Sequence, residues 1–174
     1  MATWNLDTAH SEIEFKVRHM MISTVKGQFG TFDVKFDSES EDLSNASVEV
    51  SIDAASINTK NEQRDEHLRS GDFFNVEQFP TITFRSTGIS KKSDDEFSLV
   101  GDLTIKDVTK SVTLDVELGG VAKDPWGNAK VGYTVNGKIN RNDFGLNWNA
   151  ALETGGVMVS DEVKFTAEIQ FVKS

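Results

Sequence analysis

The chain has 174 residues, a length that suits one domain with a substantial core. Its formal net charge of −10 argues against nucleic acids and anionic lipid surfaces as partners, because both require a clustered basic surface. The lack of cysteine excludes disulfides, thiolate metal ligands and cysteine nucleophiles. There are 12 Phe but 1 Tyr and 3 Trp, and this weighting toward the ring without a polar group favours an apolar interior.

The N-terminal residues lead from Met1 almost directly into a strand-like stretch at Trp4 and Leu6. The basic and apolar regions of a signal peptide do not precede that stretch. No run approaches the roughly 18 apolar residues that a membrane-spanning helix needs. We therefore expect a cytoplasmic protein without stable membrane insertion, or a periplasmic or secreted one if a signal peptide has been removed.

Eight segments alternate apolar and polar residues with a period of two, which predicts strands with one face toward water. In the first, Ile13, Phe15 and Val17 share one side. In chain order the segments are 13–19, 32–36, 48–52, 82–84, 97–105, 112–118, 131–139 and 163–171. The connections between them are polar, and residues 124–127, with Asp first, Pro second and Gly fourth, fit a type I turn.

Residues 59–69 break the alternation and are rich in helix-forming residues. Thr59 and Glu62 have the spacing of a capping box, and Gly71 lies where a helix would end. Leu68 is the only aliphatic side chain in this stretch, so an apolar stripe cannot hold the helix. We predict a short, mostly exposed helix over one end or side of the sheet.

Strands with one wet face must bury the other, either in two packed sheets or in one closed barrel. A barrel of about eight strands can hold one small ligand. Gly101, Gly137 and Ala167 would leave room inside if they point inward. Periodicity alone leaves both a solid core and a ligand cavity open.

Several segments together resemble the YceI-like family of polyisoprenoid-binding proteins. They are RDEHLRSGDFF at 64–74, FPTITF at 79–84, GDLTIKDVTK at 101–110, NRNDFGL at 140–146 and the opening residues 4–36. In the opening segment the resemblance is carried by Asp7, His10, Phe15, His19 and residues 27–32. The resemblance covers nearly the whole chain, in order and at the family's spacing.

The resemblance implies an all-β fold: an elongated antiparallel lipocalin-like barrel of about eight strands with one short α-helix. Residues 1–174 would form a single YceI-like lipid-binding domain, and a homodimer is expected. The barrel would carry or sequester a long apolar ligand in a central hydrophobic pore, namely a polyisoprenoid, an isoprenoid quinone or a fatty-acid-like amphiphile. That ligand apart, no cofactor would be required. Many members of this family carry a signal peptide, which this sequence does not show.

The inward faces of the predicted strands supply the candidate ligand-binding residues. Apart from His19, which continues the face of Phe15 and Val17, they are apolar, and His19 would either bind a ligand head group or be an interior histidine bonded to a backbone carbonyl. The predicted pore lining is Phe15, Val17, His19, Phe32, Phe84, Phe97, Leu99, Leu114, Val116 and Phe165.

No catalytic residue and no metal site are expected. Arg64, Asp65 and His67 look like an acid–base set, but residues two apart on a helix point to different faces, and Asp65 is better spaced to contact Leu68 and Arg69. We interpret this set as structural, docking the helix and closing one end of the barrel. The histidines lack metal-ligand spacing, and Gly155-Gly156 lacks the spacing of a phosphate loop.

Other residues leave alternatives open. Phe73, Phe74 and Phe79 would form a hydrophobic plug under the helix or line the pore. Arg141 and Asp143 suggest a buried ion pair at a bend, and Trp148 would lie at a pore mouth. Two other functions stay open: a solid-core β-protein acting as a stress or interaction module, and an enzyme that acts on a bound lipid through His19 or the Asp65–His67 segment.

Overall fold

The protein is described by a computed structural model that covers residues 2–19, 23–38, 46–71, 73–146 and 159–173. Within these ranges, 3-10 turns occur at Thr8–His10, Ala54–Ser56 and Arg141–Phe144. The strands and the α-helix are β1 (Ala2–Leu6), β2 (Glu12–His19), β3 (Ser23–Phe29), β4 (Phe32–Ser38), β5 (Ser47–Asp53), β6 (Ile57–Asn58), α1 (Glu62–Arg69), β7 (Thr81–Lys91), β8 (Glu96–Ile105), β9 (Val108–Lys123), β10 (Ala129–Asn140) and β11 (Val159–Lys173).

Eight of these strands close into an antiparallel barrel in the order β1-β4-β5-β7-β8-β9-β10-β11, with β11 returning to β1. The predicted all-β barrel of about eight strands with one short helix is therefore confirmed. Strand β11 is 15 residues long, and two strands pair with it along the same side. Its last residues, from Phe171, pair with β1, whereas Val159 to Glu168 pair with β2.

Strands β1 and β2 thus form one edge, interrupted by the turn at Thr8–His10. Asp7 organises the interruption, because its side chain accepts a hydrogen bond from the Ala9 amide (3.2 Å) and lies 2.9 Å from His10 Nδ1. The Asp7 amide donates to the carbonyl of Gln170 at 2.8 Å. The break therefore remains attached to β11.

Each of the eight predicted strands is present, and β1 coincides with the strand-like stretch at Trp4 and Leu6, whereas β3 and β6 were not predicted. Strand β3 escaped notice because its buried side includes Gly27, which interrupts the apolar pattern between Val25 and Phe29. Strand β1 has 5 residues and β6 has 2, too few for a periodicity to be recognised. The predicted turn at 124–127 is present, with the Gly127 amide donating to the Asp124 carbonyl at 3.0 Å.

A cluster of aromatic rings fills one end of the barrel. Phe36 lies at its centre, with ring centroids 5.0 Å from Phe171, 5.9 Å from Tyr133 and 6.3 Å from Trp4. All four side chains are buried. The inward face of the strands therefore ends, on this side, in a packed aromatic layer.

Helix α1 covers the other end, and polar contacts anchor it. Its N-cap is Asn61, whose side chain accepts a hydrogen bond from the Arg64 amide at 3.1 Å, so the predicted Thr59 cap is wrong. The positive φ of 63° at Lys60 turns the chain between the two residues and leaves Thr59 buried below the helix. The helix ends at Arg69 with Ser70 as its C-cap, and Gly71 follows the cap directly.

Thr59 holds the helix in place by hydrogen bonds to two side chains of α1, those of Asp65 and Arg64. Its amide and hydroxyl donate to Asp65 Oδ1 at 2.9 and 2.6 Å, and Arg64 donates from Nε to the Thr59 hydroxyl (2.8 Å) and from Nη2 to the Thr59 carbonyl (2.9 Å). The sequence predicted that Asp65 contacts Arg69. Asp65 is instead buried and contacts Thr59. These contacts replace the apolar stripe that α1 lacks.

Candidate functional site

The barrel encloses two adjoining cavities. The first, here the inner chamber, has a volume of about 150 Å³ and reaches the aromatic layer at Phe36, Tyr133 and Phe171. The second, here the helix-side chamber, has a volume of about 480 Å³ and lies beneath α1. Aliphatic and aromatic side chains line the inner chamber throughout, whereas the helix-side chamber also has polar ones.

The two chambers share four lining residues, here called the waist. They are Ile13 on β2, Ile52 on β5, Leu103 on β8 and Phe165 on β11. These strands are distributed around the barrel, so the waist is a ring of side chains rather than one side of the wall. The two cavities therefore adjoin at a ring of apolar side chains.

Eight of the ten predicted pore-lining residues lie on these walls. Phe15 and Val17 line the helix-side chamber, and Phe165 lines both chambers at the waist. The residues on the inner chamber are Phe84, Phe97, Leu99, Leu114 and Val116. Strand parity put them there, because alternate residues of a strand face the same side. Their contact with a ligand stays a prediction.

The other two predicted residues differ. Phe32 is partly buried against the core but lines neither chamber; it starts β4, directly opposite Ile52, which occupies the wall instead. The backbone of His19 pairs with Ser23 at the end of β2, and its side chain lies outside the described part of the chain. The predicted contact between His19 and a head group stays a prediction. Trp148 and Gly155-Gly156 also lie outside the described residues.

The sequence analysis assigned structural roles to Arg64, His67 and Arg141, but it did not predict that they line the helix-side chamber. Arg141 is only 2% exposed, on the 3-10 turn after β10, and it lines the chamber together with Arg64 and His67. A signal was available, since Arg141 continues the inward parity of Val131, Tyr133 and Ile139. An arginine with the same parity as the buried residues of a strand is expected to point its side chain into the barrel.

The guanidinium of Arg141 donates from Nη1 to the Leu146 carbonyl, and its Nη2 lies 4.0 Å from Asp161 Oδ1. The predicted pairing with Asp143 is wrong, because Asp143 is exposed and Asp161 is the carboxylate beside Arg141. Burial lowers the pKa of Arg141, and the attraction of Asp161 opposes that effect. The side chain nevertheless remains charged, because an arginine in a protein does not lose its proton.

Aromatic rings form the part of the helix-side chamber next to α1. His67 contacts Phe73 edge-on, with ring centroids 5.1 Å apart, and Phe74 meets Phe29 in the same way at 6.0 Å. Phe73 and Phe74 both line the chamber, whereas Phe79 does not. The two interpretations of Phe73 and Phe74 therefore both hold: they support the helix and line the cavity.

Across residues 2–19, 23–38, 46–71, 73–146 and 159–173, no group of three or more His, Asp or Glu side chains is placed to hold a metal ion. In the same ranges, no helix has the length and apolar character required to cross a membrane. The oxygen Oδ1 of Asp65, part of the acid–base set considered above, accepts both hydrogen bonds from Thr59.

An antiparallel barrel closed around an apolar interior defines a lipocalin-like β-barrel protein. Within that class, the chain belongs to the YceI-like family, because the YceI-like domain matches residues 4–171. The predicted family resemblance is thereby confirmed.

Known proteins agree with this assignment. The UPF0312 protein SA2479 of Staphylococcus aureus (strain N315) is 48% identical over 172 residues, which are 98% of each chain. A Campylobacter jejuni YCEI protein of solved structure is 34% identical, with a TM-score of 0.79 over 90% of each chain. A polyisoprenoid binding domain from Saccharophagus degradans, implicated in plant cell wall breakdown, shares the fold at 15% identity, with a TM-score of 0.72 over 100% of each chain.

Proposed function

We propose that this protein binds a long apolar ligand inside its barrel and carries or sequesters it without chemical change. The observation that carries the proposal is an interior of two adjoining chambers, of which the inner chamber and the waist have apolar walls. Membership of the YceI-like family and the polyisoprenoid-binding description of the structural relative from Saccharophagus degradans support an isoprenoid ligand. Polyprenyl chains, isoprenoid quinones and fatty-acid-like amphiphiles all have a long hydrocarbon chain that such walls can bury.

The binding energy would come from removing hydrocarbon from water. Each buried methylene contributes about 0.8 kcal/mol, so ten would contribute roughly 8 kcal/mol before the costs of association. An apolar cavity such as the inner chamber excludes water and accepts apolar guests. Affinity then follows the length of the hydrocarbon chain more than its head group.

The two chambers also favour one orientation of the ligand. The described residues that line the inner chamber include no charged side chain, whereas the helix-side chamber carries Arg64, His67 and Arg141. A polar head group placed in the inner chamber would lose its hydration without a charged partner. The head group therefore lies beneath α1, and the hydrocarbon tail points toward Phe36 and Tyr133.

Two alternatives lose support from the same observations. A solid core would fill the interior, but the helix-side chamber alone has a volume of about 480 Å³. Catalysis through the Asp65–His67 segment is disfavoured because Asp65 is engaged by Thr59 and Arg64 shares that anchor. The contacts of Arg64 and Asp65 with Thr59 therefore support a structural role.

The test is organic extraction of the natively purified protein followed by mass spectrometry. A stoichiometric isoprenoid, quinone or fatty-acid-like lipid would support carriage and identify the ligand. Protein that yields no lipid and also fails to take up geranylgeraniol or ubiquinone in a competition assay would refute the proposal.

A further inference from the structure

Three glycines of the sheet, Gly27 on β3, Gly101 on β8 and Gly137 on β10, each lie beneath a phenylalanine ring. A Cβ atom built on Gly27 would come within 2.4 Å of Phe15 Cζ, one on Gly101 within 2.4 Å of Phe84 Cζ, and one on Gly137 within 2.5 Å of Phe165 Cζ. Phe15 and Phe165 stand directly opposite their glycines on the neighbouring strands. The absence of a side chain lets each ring lie along the wall instead of projecting into the lumen.

The pair at Gly137 occupies a special place, because Phe165 is a waist residue. The atoms nearest to a Cβ at Gly137 are Phe165 Cζ and Cε2 and Leu114 Cδ2, all at the ends of side chains. An added methyl group would therefore move the Phe165 ring rather than the backbone. The open direction for that ring is the lumen, which would narrow the waist.

We propose that Phe165, whose ring lies over Gly137, sets the length of hydrocarbon chain that the barrel accepts. The inner chamber is a separate subsite for the tail end of the ligand, and Phe165 controls entry to it. This inference rests on the proposed function. An apolar cavity of about 150 Å³ admits a guest of the size of benzene, which is roughly one isoprene unit. The helix-side chamber is about three times as large, 480 Å³ against 150 Å³, and so accommodates roughly three such units.

The volumes predict a step in affinity between farnesol, with three isoprene units, and geranylgeraniol, with four. Farnesol fits the helix-side chamber alone, whereas the last unit of geranylgeraniol must pass the waist. Both probes have the same hydroxyl head group, so their difference in affinity reports the inner chamber.

The experiment measures both dissociation constants, by displacement of a polarity-sensitive dye, for the wild-type protein and for Gly137→Ala. We expect Gly137→Ala to weaken geranylgeraniol binding roughly tenfold and to leave farnesol binding within about twofold of the wild type. The matched control is Gly27→Ala, whose Cβ would press on the Phe15 ring and, at 2.9 Å, on Cγ2 of Thr59. Both residues line the helix-side chamber, so this variant should weaken both probes equally.

Two further variants cover the case in which Gly137→Ala does not fold, as judged by circular dichroism. Leu103→Phe narrows the same waist from β8 and should produce the same selective loss of geranylgeraniol. Phe165→Leu in the Gly137→Ala background removes the ring and should restore geranylgeraniol binding.

The outcomes separate the two proposals. A wild-type protein that binds neither probe overturns the inference, and one that also yields no lipid on extraction and takes up no ubiquinone contradicts the proposed function itself. A wild-type protein that prefers geranylgeraniol, combined with folded waist variants that keep this preference or lose both probes equally, overturns the role of Phe165 and leaves the carrier function intact.

Discussion

Arg141 lines the helix-side chamber at 2% exposure, and a charge so deeply buried must be compensated by neighbouring polar groups. Its guanidinium reaches the Leu146 carbonyl, whereas the carboxylate of Asp161 is 4.0 Å away on a side chain that is 59% exposed. Water screens such a surface carboxylate, so its attraction contributes little. The backbone contact is the stronger of the two, and it ties the turn after β10 to the segment that follows.

Arg141→Ala should therefore lower the free energy of unfolding by about 3 kcal/mol, because it leaves a buried carbonyl without its donor and opens a cavity. The matched variant Asp161→Asn should lower it by less than about 1 kcal/mol. Urea denaturation followed by circular dichroism measures both. Equal losses would show that the ion pair, and not the backbone contact, dominates.

Gly101 is required for a steric reason rather than for its backbone angles. A Cβ there would lie 2.5 Å from the carbonyl oxygen of Arg85 as well as against the Phe84 ring, and a backbone atom cannot move aside as a ring can. Gly88, on the facing strand β7, has no atom within 4 Å of the corresponding position. The two glycines form a matched pair on adjacent strands.

We predict that Gly101→Ala destabilises the protein by about 1–3 kcal/mol through overpacking. Gly88→Ala should be neutral or stabilising by about 0.4–1 kcal/mol, because it restricts the unfolded chain without a clash. Thermal or urea unfolding of both variants is the measurement. A Gly101→Ala protein as stable as the wild type would mean that β7 and β8 separate easily at this point.

At the scale of elements, the edge formed by β1 and β2 depends on Asp7. Its side chain lies 2.9 Å from His10 Nδ1 and 3.5 Å from Lys130 Nζ, so it joins the turn to β10 across the barrel edge. The hydrogen bond with His10, aided by the charges of His10 and Lys130, holds the pKa of Asp7 below its ordinary value, although partial burial opposes this. A carboxyl with a lowered pKa stabilises the fold above the unfolded pKa and loses this effect as the pH falls through the folded value.

Asp7→Asn should consequently reduce the free energy of unfolding at neutral pH by at most about 1 kcal/mol. The difference between the variant and the wild type should shrink as the pH falls from neutral through the folded-state pKa of Asp7, which lies below its ordinary value, and should vanish once the carboxyl is protonated in both states. Urea titrations across this pH range test the expectation. The control is Asp107→Asn, which replaces an exposed carboxylate in the β8–β9 turn. This variant should have nearly the same free energy of unfolding as the wild type at neutral pH, so no difference is present to disappear at lower pH.

At the scale of the whole molecule, ligand binding and stability are linked. A ligand that binds only the folded barrel stabilises it by about 2.7 kcal/mol when its concentration is 100 times its dissociation constant. For a chain of this size we expect delipidated protein to melt about 5–10 °C lower than protein with bound lipid. Differential scanning calorimetry before and after delipidation measures the shift, and returning the extracted lipid should restore it. An unchanged melting temperature would argue against a ligand inside the barrel.

The strand pattern predicted most of this molecule because parity is a local property. Residues such as Phe97, Leu99, Leu114 and Val116 reach the cavity wall simply by alternating with polar neighbours. The closure of the barrel could not be predicted from the strand pattern. It depends on β1, whose five residues are too few to show a period, and on the register between strands that are distant in sequence. The Asn61 cap and the buried Thr59–Asp65 contact depend on the turn at Lys60, which no residue pattern indicated. Volume was also inaccessible, because the space within a barrel is set by how the rings lie over Gly27, Gly101 and Gly137.

The pairing of β1 with β11 joins residues 4–6 to residues 171–173. During synthesis, the wall between them cannot be completed until β11 has left the ribosome, and until then the inward faces of the other strands have no continuous enclosure. Contacts between the ends of a chain are also slow to form, because a long loop must close first. The barrel should therefore assemble only after translation of β11, and any lipid it carries must be acquired by the finished protein rather than by the growing chain.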